Sequence, residues 1–392
     1  MAAPGASLPP PPLFLAFLVF CTPARALGKR AFVGTAANGS LVLQPEAGHP
    51  VLIDGADFNA LVETIRRQEE ALAALTKHPQ QCQVVVDTTT IAGLKNPGWH
   101  GGVLARNGKI YGMPHSTPAV LIIDPTTNAV DTTTITIQGL TGSAWWGPGV
   151  LGGNGKVYGI PHSGDAVLII DPATNTTDTT TIAGFGLGPI KWAGGVLAGN
   201  GKIYGIPRNS ESVLIISTDT NTADTTTISG LKGGLKWFGG VLAGNGRIYG
   251  IPSNSSSVLI IDPATNTVDV TSITGLGGSQ TWYGGVLASD GKIYSLPASA
   301  TSVLVIDPAT NTADTTSIVV NRAGDFKWST GPHVSGKTYG IPRQADDILV
   351  IESQVVTSID TGLRGNNKFL GSVLADNGVI YGIPLTSTSV LI

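Results

Sequence analysis

The sequence predicts an all-β chain: a seven-bladed β-propeller closed by an N-terminal strand and preceded by a short hairpin-plus-helix segment. Three observations predict it. A unit opening on an aromatic residue recurs at Trp99, Trp146, Trp192, Trp237, Trp282, Trp328 and Phe369. Such a fixed period, about 45 residues, marks an array of supersecondary units. Each unit divides into four strand-like segments parted by turn residues, which is the make-up of a propeller blade. The last unit ends at Ile392 after three segments, and the missing fourth stands at the other end as 84–91 (VVVDTTTI). A shared seventh blade of this kind closes the ring and removes its open edges.

The unit 237–276 shows the pattern. GGVLA leads into Asn245-Gly246, a pair that accepts the positive φ of a tight hairpin. RIYGIP stops at Pro252, which cannot donate to a ladder. The apolar run 258–261 suits a strand buried on both faces and closes in Asp262-Pro263-Ala264-Thr265-Asn266, a Pro/Asx turn. The fourth segment, 268–273, alternates Val with Thr and Asp, as a half-exposed outer strand would.

Composition agrees. Only 12% of residues are charged and 52 are Gly, so turns are many and surface charge is sparse. A net charge of −3 gives no footprint for nucleic acid or an anionic membrane.

Residues 1–26 read as a secretory signal, with the short apolar core LFLAFLVFC at 13–21 and Ala24-Arg25-Ala26 as a small-x-small cleavage site. The expected location is therefore extracellular, or the endomembrane lumen, with no membrane span after signal removal. Asn38, Asn175 and Asn254 head glycosylation sequons. Cys21 leaves with the signal and Cys82 stays as a lone thiol, so no disulfide framework is expected. Residues 27–82 form a separate segment. Within it 39–55 reads as a hairpin and Ala56–Lys77 as a helix, with Phe58, Leu61, Ile65, Gln68, Leu72 and Leu75 on the seam of a short coiled coil. That seam would pack on a neighbouring surface or hold a homotrimer. Residues 83–392 are the propeller.

In a blade, the first-to-second and third-to-fourth turns lie on one face of the disc, and the other loops lie on the opposite face. The first face carries the repeated Asn-Gly and Asp-Pro turns. The second carries what varies between copies, which is where function is expected on a rigid scaffold. After the blade Pro come His115, His162, Arg208, Ser253, Ala298, Arg343 and Leu385. After the blade aromatic come His100, Gly147, Ala193, Phe238, Tyr283, Ser329 and Leu370. The expected ligand-binding set is Trp99, His100, His115, Trp146, His162, Trp192, Arg208, Trp237, Trp282, Trp328 and Arg343. There the Trp residues are stacking platforms for sugars, and His and Arg are hydrogen-bonding partners. The competing reading makes each Trp a wedge between blades, with its N–H bonded to backbone.

His100, His115 and His162 belong to the first two units, and three imidazoles would suit zinc or a general base. They lack ligand spacing, so no metal, cofactor or catalytic residue is assigned. Asp124, Asp171, Asp262 and Asp307 open the turns, and Asp131, Asp178, Asp224, Asp269 and Asp314 begin the outer strands. Both sets read as local backbone caps rather than calcium ligands.

The run VLIIDPATNTVDVTSI at 258–273, repeated with small changes, resembles the pattern of YVTN-type propellers. GGVLAGNGRIYGIP at 239–252 is similar to kelch and virginiamycin-B-lyase-like blades. The resemblance spans 83–392 and implies the fold more than an activity. Propeller lyases and lactonases of this broad class use Glu, Asn, Asp or His around the tunnel to bind metal. Here the inner strands read GGVLA or GPGVLGG and offer no acidic residue. The leading expectation is a secreted module that binds a glycan or an extracellular protein through the variable-loop face. A metal-dependent lyase or hydrolase and a structural matrix or coat protein are the alternatives.

Overall fold

The computed structural model describes residues 84–392 apart from 139, 141–144 and 280, together with four short strands between 32 and 57. The chain divides into Met1–Val84 and Val85–Ile392. In the first unit Phe32–Thr35 pairs with Leu41–Gln44, and Leu52–Ile53 pairs with Ala56–Asp57. Two small hairpins thus replace the single one expected over 39–55, and Ala56 and Asp57 lie in a strand rather than opening a helix. The signal at 1–26, Cys82 and the rest of the Ala56–Lys77 seam lie outside the described residues.

The second unit is a propeller. Six four-stranded antiparallel sheets follow one another along the chain, beginning at Trp99, Trp146, Trp192, Trp237, Val286 and Trp328. In blade 4 the strands Trp237–Leu242, Ile248–Pro252, Leu259–Asp262 and Thr267–Asp269 pair in sequence order. A seventh, shorter blade pairs Phe369–Leu374 with Ile380–Pro384 and is extended by a bridge from Gly382 to Leu391. Asp87 and Ile392 then exchange two backbone hydrogen bonds, and Val390 N–H bonds the Ile91 carbonyl. Residues 84–91 therefore complete blade 7, but not as the regular strand expected. The Asp87 carboxylate accepts the Thr89 and Thr90 N–H groups and turns the chain out of the ladder. The same device shortens the outer strands of blades 1 to 5: Asp269 takes the N–H of Thr271 and Ser272, so the strand ends at Asp269 instead of 273.

The core lies between blades. Trp237 packs among Tyr204, Ile206 and Val213 of blade 3 and Ile248 and Leu259 of its own blade. Ring closure uses the same contact, with Trp99, Ile110 and Leu121 packed against Val373, Tyr381 and Val390. The six Trp that open the units are at most 4% exposed. Each of these indole N–H groups donates to a carbonyl of its own blade, five to the loop between the second and third strands, as Trp237 does to Ser257 at 2.8 Å, and Trp328 to Asp347 at the start of the third strand. These six Trp residues are wedges, and of them only Trp192 also borders a cleft described below.

On the Asp-Pro turn face the blades are latched by side chains. Asn200 Nδ2 donates to the Tyr204 hydroxyl and to the Pro263 carbonyl of the next blade, both at 2.9 Å. The Tyr204 hydroxyl then donates to Asn266 Oδ1 at 2.7 Å. The relay recurs as Tyr111–Asn175, Tyr158–Asn221, Tyr249–Asn311 and Tyr381–Asn128. Blade 5 breaks it. Asp290 stands in the Asn position and accepts from Tyr294, while blade 6 has the tight Ser353-Gln354 turn in place of the Asp-Pro turn. Among the described residues no helix is long and apolar enough to cross a membrane.

Candidate functional site at the axial mouth

In blades 1, 2, 3, 4 and 7 the innermost strand carries a bulge immediately after its aromatic residue, and in blade 6 the slip comes later, between Thr330 and His333. In blade 4 the pairing runs Trp237↔Pro252 and then slips to Gly240↔Gly250. The slip is made by Gly239 at φ +72, where an added Cβ would lie 3.0 Å from the Cα of Gly284 in the next blade. A bulge re-aims the side chain beside it, here that of Phe238. The residue after the blade Pro is fixed beside it by its own backbone. The N–H groups of His115, His162, Arg208, Ser253, Ala298, Arg343 and Leu385 each bond the carbonyl just before their blade's aromatic. Seven pairs of side chains are thereby brought to the axis on the variable-loop face.

Those pairs meet across the ring. The imidazoles of His100, His115 and His162 form a mutually contacting triangle, with centroids 5.2, 5.5 and 5.8 Å apart. His100 of blade 1 also stacks on Phe238 of blade 4 at 6.0 Å, and Phe238 stacks on Tyr283 at 4.0 Å and 3°. Arg208 lies 5.0 Å from the Phe238 ring and donates to the Tyr283 hydroxyl at 3.1 Å. Arg343 lies 4.5 Å from the Phe326 ring and 5.5 Å from Tyr283, with its Nε on Asn367 Oδ1. Blade 7 fills its places with Leu370 and Leu385. His100, His162, Arg208, Phe238 and Tyr283 are buried, while His115 and Arg343 are half-buried and face the mouth.

Of the predicted residues, the structure unites His100, His115, His162, Arg208 and Arg343 here and sends the six Trp to the blade interfaces. His333 is elsewhere, bonded to Thr338 and Ser289. Phe238 and Tyr283 were visible as variable positions, but nothing in the sequence tells that they stack across the axis. A second unrecognised feature is a lysine just before the aromatic in blades 3, 4, 6 and 7. Lys236 Nζ, 4% exposed, donates to the carbonyls of Arg208, Ser210 and Gly233 and so pins the loop that carries Arg208. Lys191, Lys327 and Lys368 cap their loops likewise. The recurrent Lys-aromatic dipeptide was the signal for it.

The electrostatics are one-sided. Burial pushes the His100 imidazole well below its usual value, and His115, His162, Arg343 and Arg208 add to the effect. Burial also lowers His115, opposed by the Trp146 carbonyl and reinforced by Arg343. No carboxylate acts on these groups. Four buried side-chain atoms among the described residues lack a hydrogen-bond partner, and three belong to this cluster: His100 Nδ1, Arg208 Nε and Ser253 Oγ. Among the described residues no three His, Cys, Asp or Glu side chains are grouped as metal ligands would be.

A cleft of about 440 Å³ lies further out on the same face, lined by Phe185, Lys191, Trp192, Asn209 and Ser210. It begins at the axial cluster's own backbone: Lys191 N–H bonds the His162 carbonyl, and Arg208 N–H bonds the Lys191 carbonyl.

No protein-family model matches the chain, and no characterised protein sequence does. Solved structures match it through their fold. A streptogramin B lyase aligns at 11% identity and a TM-score of 0.60 over 78% of this chain and 96% of its own. The virginiamycin B lyase of Staphylococcus aureus with quinupristin aligns at 12% and 0.63 over 78% and 97%. The extracellular domain of a hybrid two-component system from B. thetaiotaomicron aligns at 8% and 0.60 over 79% and 42%. The fold is thus that of virginiamycin-B-lyase-like propellers, and identities this low carry nothing further.

Proposed function

We propose that this protein is a secreted binding module that recognises a glycan through the axial mouth and the cleft running outward between blades 2 and 3. The observation that carries the reading is the meeting, on the axis, of unlike polar and aromatic side chains from six blades with three buried polar atoms unpaired. A plug serving only to fill the ring would use apolar side chains, as blade 7 does, because a buried polar group without a partner costs about 1–3 kcal/mol. Polar groups that converge in a concave, aromatic-lined setting are the usual furniture of a ligand site. The half-buried Phe185 ring, with Asn209 and Ser210 around it, suits the apolar face of a sugar and its hydroxyls.

The test is a glycan array probed with the full chain and with a His115→Ala/His162→Ala variant that still folds. Binding that the variant loses supports the reading. A blank array with folded protein defeats it and turns attention to an extracellular protein partner. A hydrolase or lyase acting through His100, His115 and His162 is the second reading, favoured by their mutual contact. Turnover of any glycan bound on the array, lost with His115→Ala, would support it.

A further inference from the structure

The axial cluster gathers two guanidinium groups and three imidazoles with no carboxylate among them. Arg208 is 5% exposed, and buried arginines are ordinarily paired. Its Nη2 reaches only the neutral Tyr283 hydroxyl, and its Nε has no partner. His100 Nδ1, 2% exposed, is unpartnered as well. Arg343 of blade 6 acts on both His100 and His115 of blade 1 and lies against the same Tyr283. The remaining axial places hold uncharged residues, apolar ones such as Ala193, Ala298, Leu370 and Leu385 and the buried Ser253 and Ser329. Positive and hydrogen-bond-donating groups therefore gather about the Phe238–Tyr283 pair, and the charge that would balance them is not supplied by the residues around it.

We infer that the axial cluster binds a small oxyanion, a carboxylate or sulfate carried on a sugar. Arg208 and Arg343 provide the charge, His100 and His115 the additional donors, and the Phe238–Tyr283 stack an apolar wall. The inference rests on the reading of this face as the ligand site and narrows its ligand to an acidic saccharide. A planar guanidinium facing an oxyanion makes the strong, charge-assisted hydrogen bonds that Arg208 lacks at present. The groups facing the two imidazoles are His162, Arg208, Arg343, Phe238 and Tyr283, all neutral or basic, so an anion arriving among them favours their protonated forms. Both imidazoles are held below their usual value in the free protein, so binding should take up protons and tighten as the pH falls towards and below the lower end of the ordinary histidine range.

The experiment is calorimetric titration of the full chain with glucuronate, a sulfated glucose, inorganic sulfate and glucose. It is run at constant ionic strength in chloride at pH 5.5 and pH 8. Glucuronate or the sulfated sugar should bind, more tightly at pH 5.5, while glucose should not; which of the two binds identifies the oxyanion. Arg208→Met and, independently, the half-buried Arg343→Gln should each weaken binding about tenfold or more, the loss of one charge-assisted pair. Arg208→Met should keep or raise the unfolding temperature, because it removes a buried unpaired charge. Acidic sugars bound undiminished by both variants overturn the inference. Glucose bound as tightly as glucuronate, and lost with His115→Ala/His162→Ala, leaves the axial site standing and removes the anion. No binding by any of the four overturns both readings.

Discussion

The two faces of the disc are built on opposite rules. On the Asp-Pro turn face, five interfaces repeat one Asn–Tyr–Asn relay, and each polar atom in it meets the same kind of partner in the next blade. At the axial mouth no two blades contribute the same pair of side chains, and three buried polar atoms are left without partners. Repetition satisfies hydrogen bonds cheaply, since one solution serves every interface. Departure from it leaves a cost that the fold does not require. In a repeat protein, the positions that differ from blade to blade are therefore the informative ones.

The strongest way to break this contrast is at the tryptophans, which belong to the repeated side. Trp237→Ala should cost about 3–5 kcal/mol by emptying the seam between blades 3 and 4 and orphaning the Ser257 carbonyl. Denaturant unfolding of the variant measures it. A variant as stable as the parent that had lost a ligand would instead move Trp237 to the functional side and undo the assignment.

That residue also marks how far the sequence could be read. The period, the four segments and the ring closure were legible because each repeats, and so was the face that varies. The Trp residues recur irrespective of the loops around them, which is the sign of a wedge, yet their chemistry equally suits a sugar platform. Only the indole N–H bonds decide between the two. The meeting of His100 with Phe238 was not legible at all. It joins blades 1 and 4 across the axis and depends on a bulge whose one trace in the sequence is a glycine at positive φ after the variable residue, Gly101 in blade 1 and Gly239 in blade 4. Blade 5 departs from the pattern where Ser295 replaces the glycine of the IYGIP segment. Its hydroxyl binds the Gly284 carbonyl, and the inner ladder shrinks to Val286–Leu287.

Blade 5 allows the repeated side to be tested against itself. Tyr204→Phe removes a hydroxyl that both accepts from Asn200 and donates to Asn266 between two blades, and should cost about 1–3 kcal/mol. Tyr294→Phe removes a bond to the exposed Asp290 carboxylate within one blade, and should cost less than about 1 kcal/mol. Equal losses in urea unfolding would mean that the relays do not hold blades together. Burial first, and then the Asp290 bond, push the Tyr294 hydroxyl up to about 12. The protonated form that it favours stabilises the fold below pH 10, and that contribution disappears as the pH rises from about 10 to 12.

The smallest expected effect concerns the outer rim. The Ser272 hydroxyl and the Thr271 N–H hold the Asp269 carboxyl down at about 2, below its usual 3.8. A lowered folded-state value means stability that is present above pH 3.8 and is lost as the pH falls through about 2. Asp269→Asn should therefore trim stability slightly at pH 7 and flatten its decline between pH 4 and 2, as followed by thermal unfolding across that window. Asp131 is likewise held at about 2, so one substitution should remove only its own share of the acid dependence. An unchanged acid profile would show that these carboxylates shape the ends of the outer strands without stabilising them. Anion binding at the axial mouth should be unaffected by Asp269→Asn, because the rim cap and the mouth share no residue.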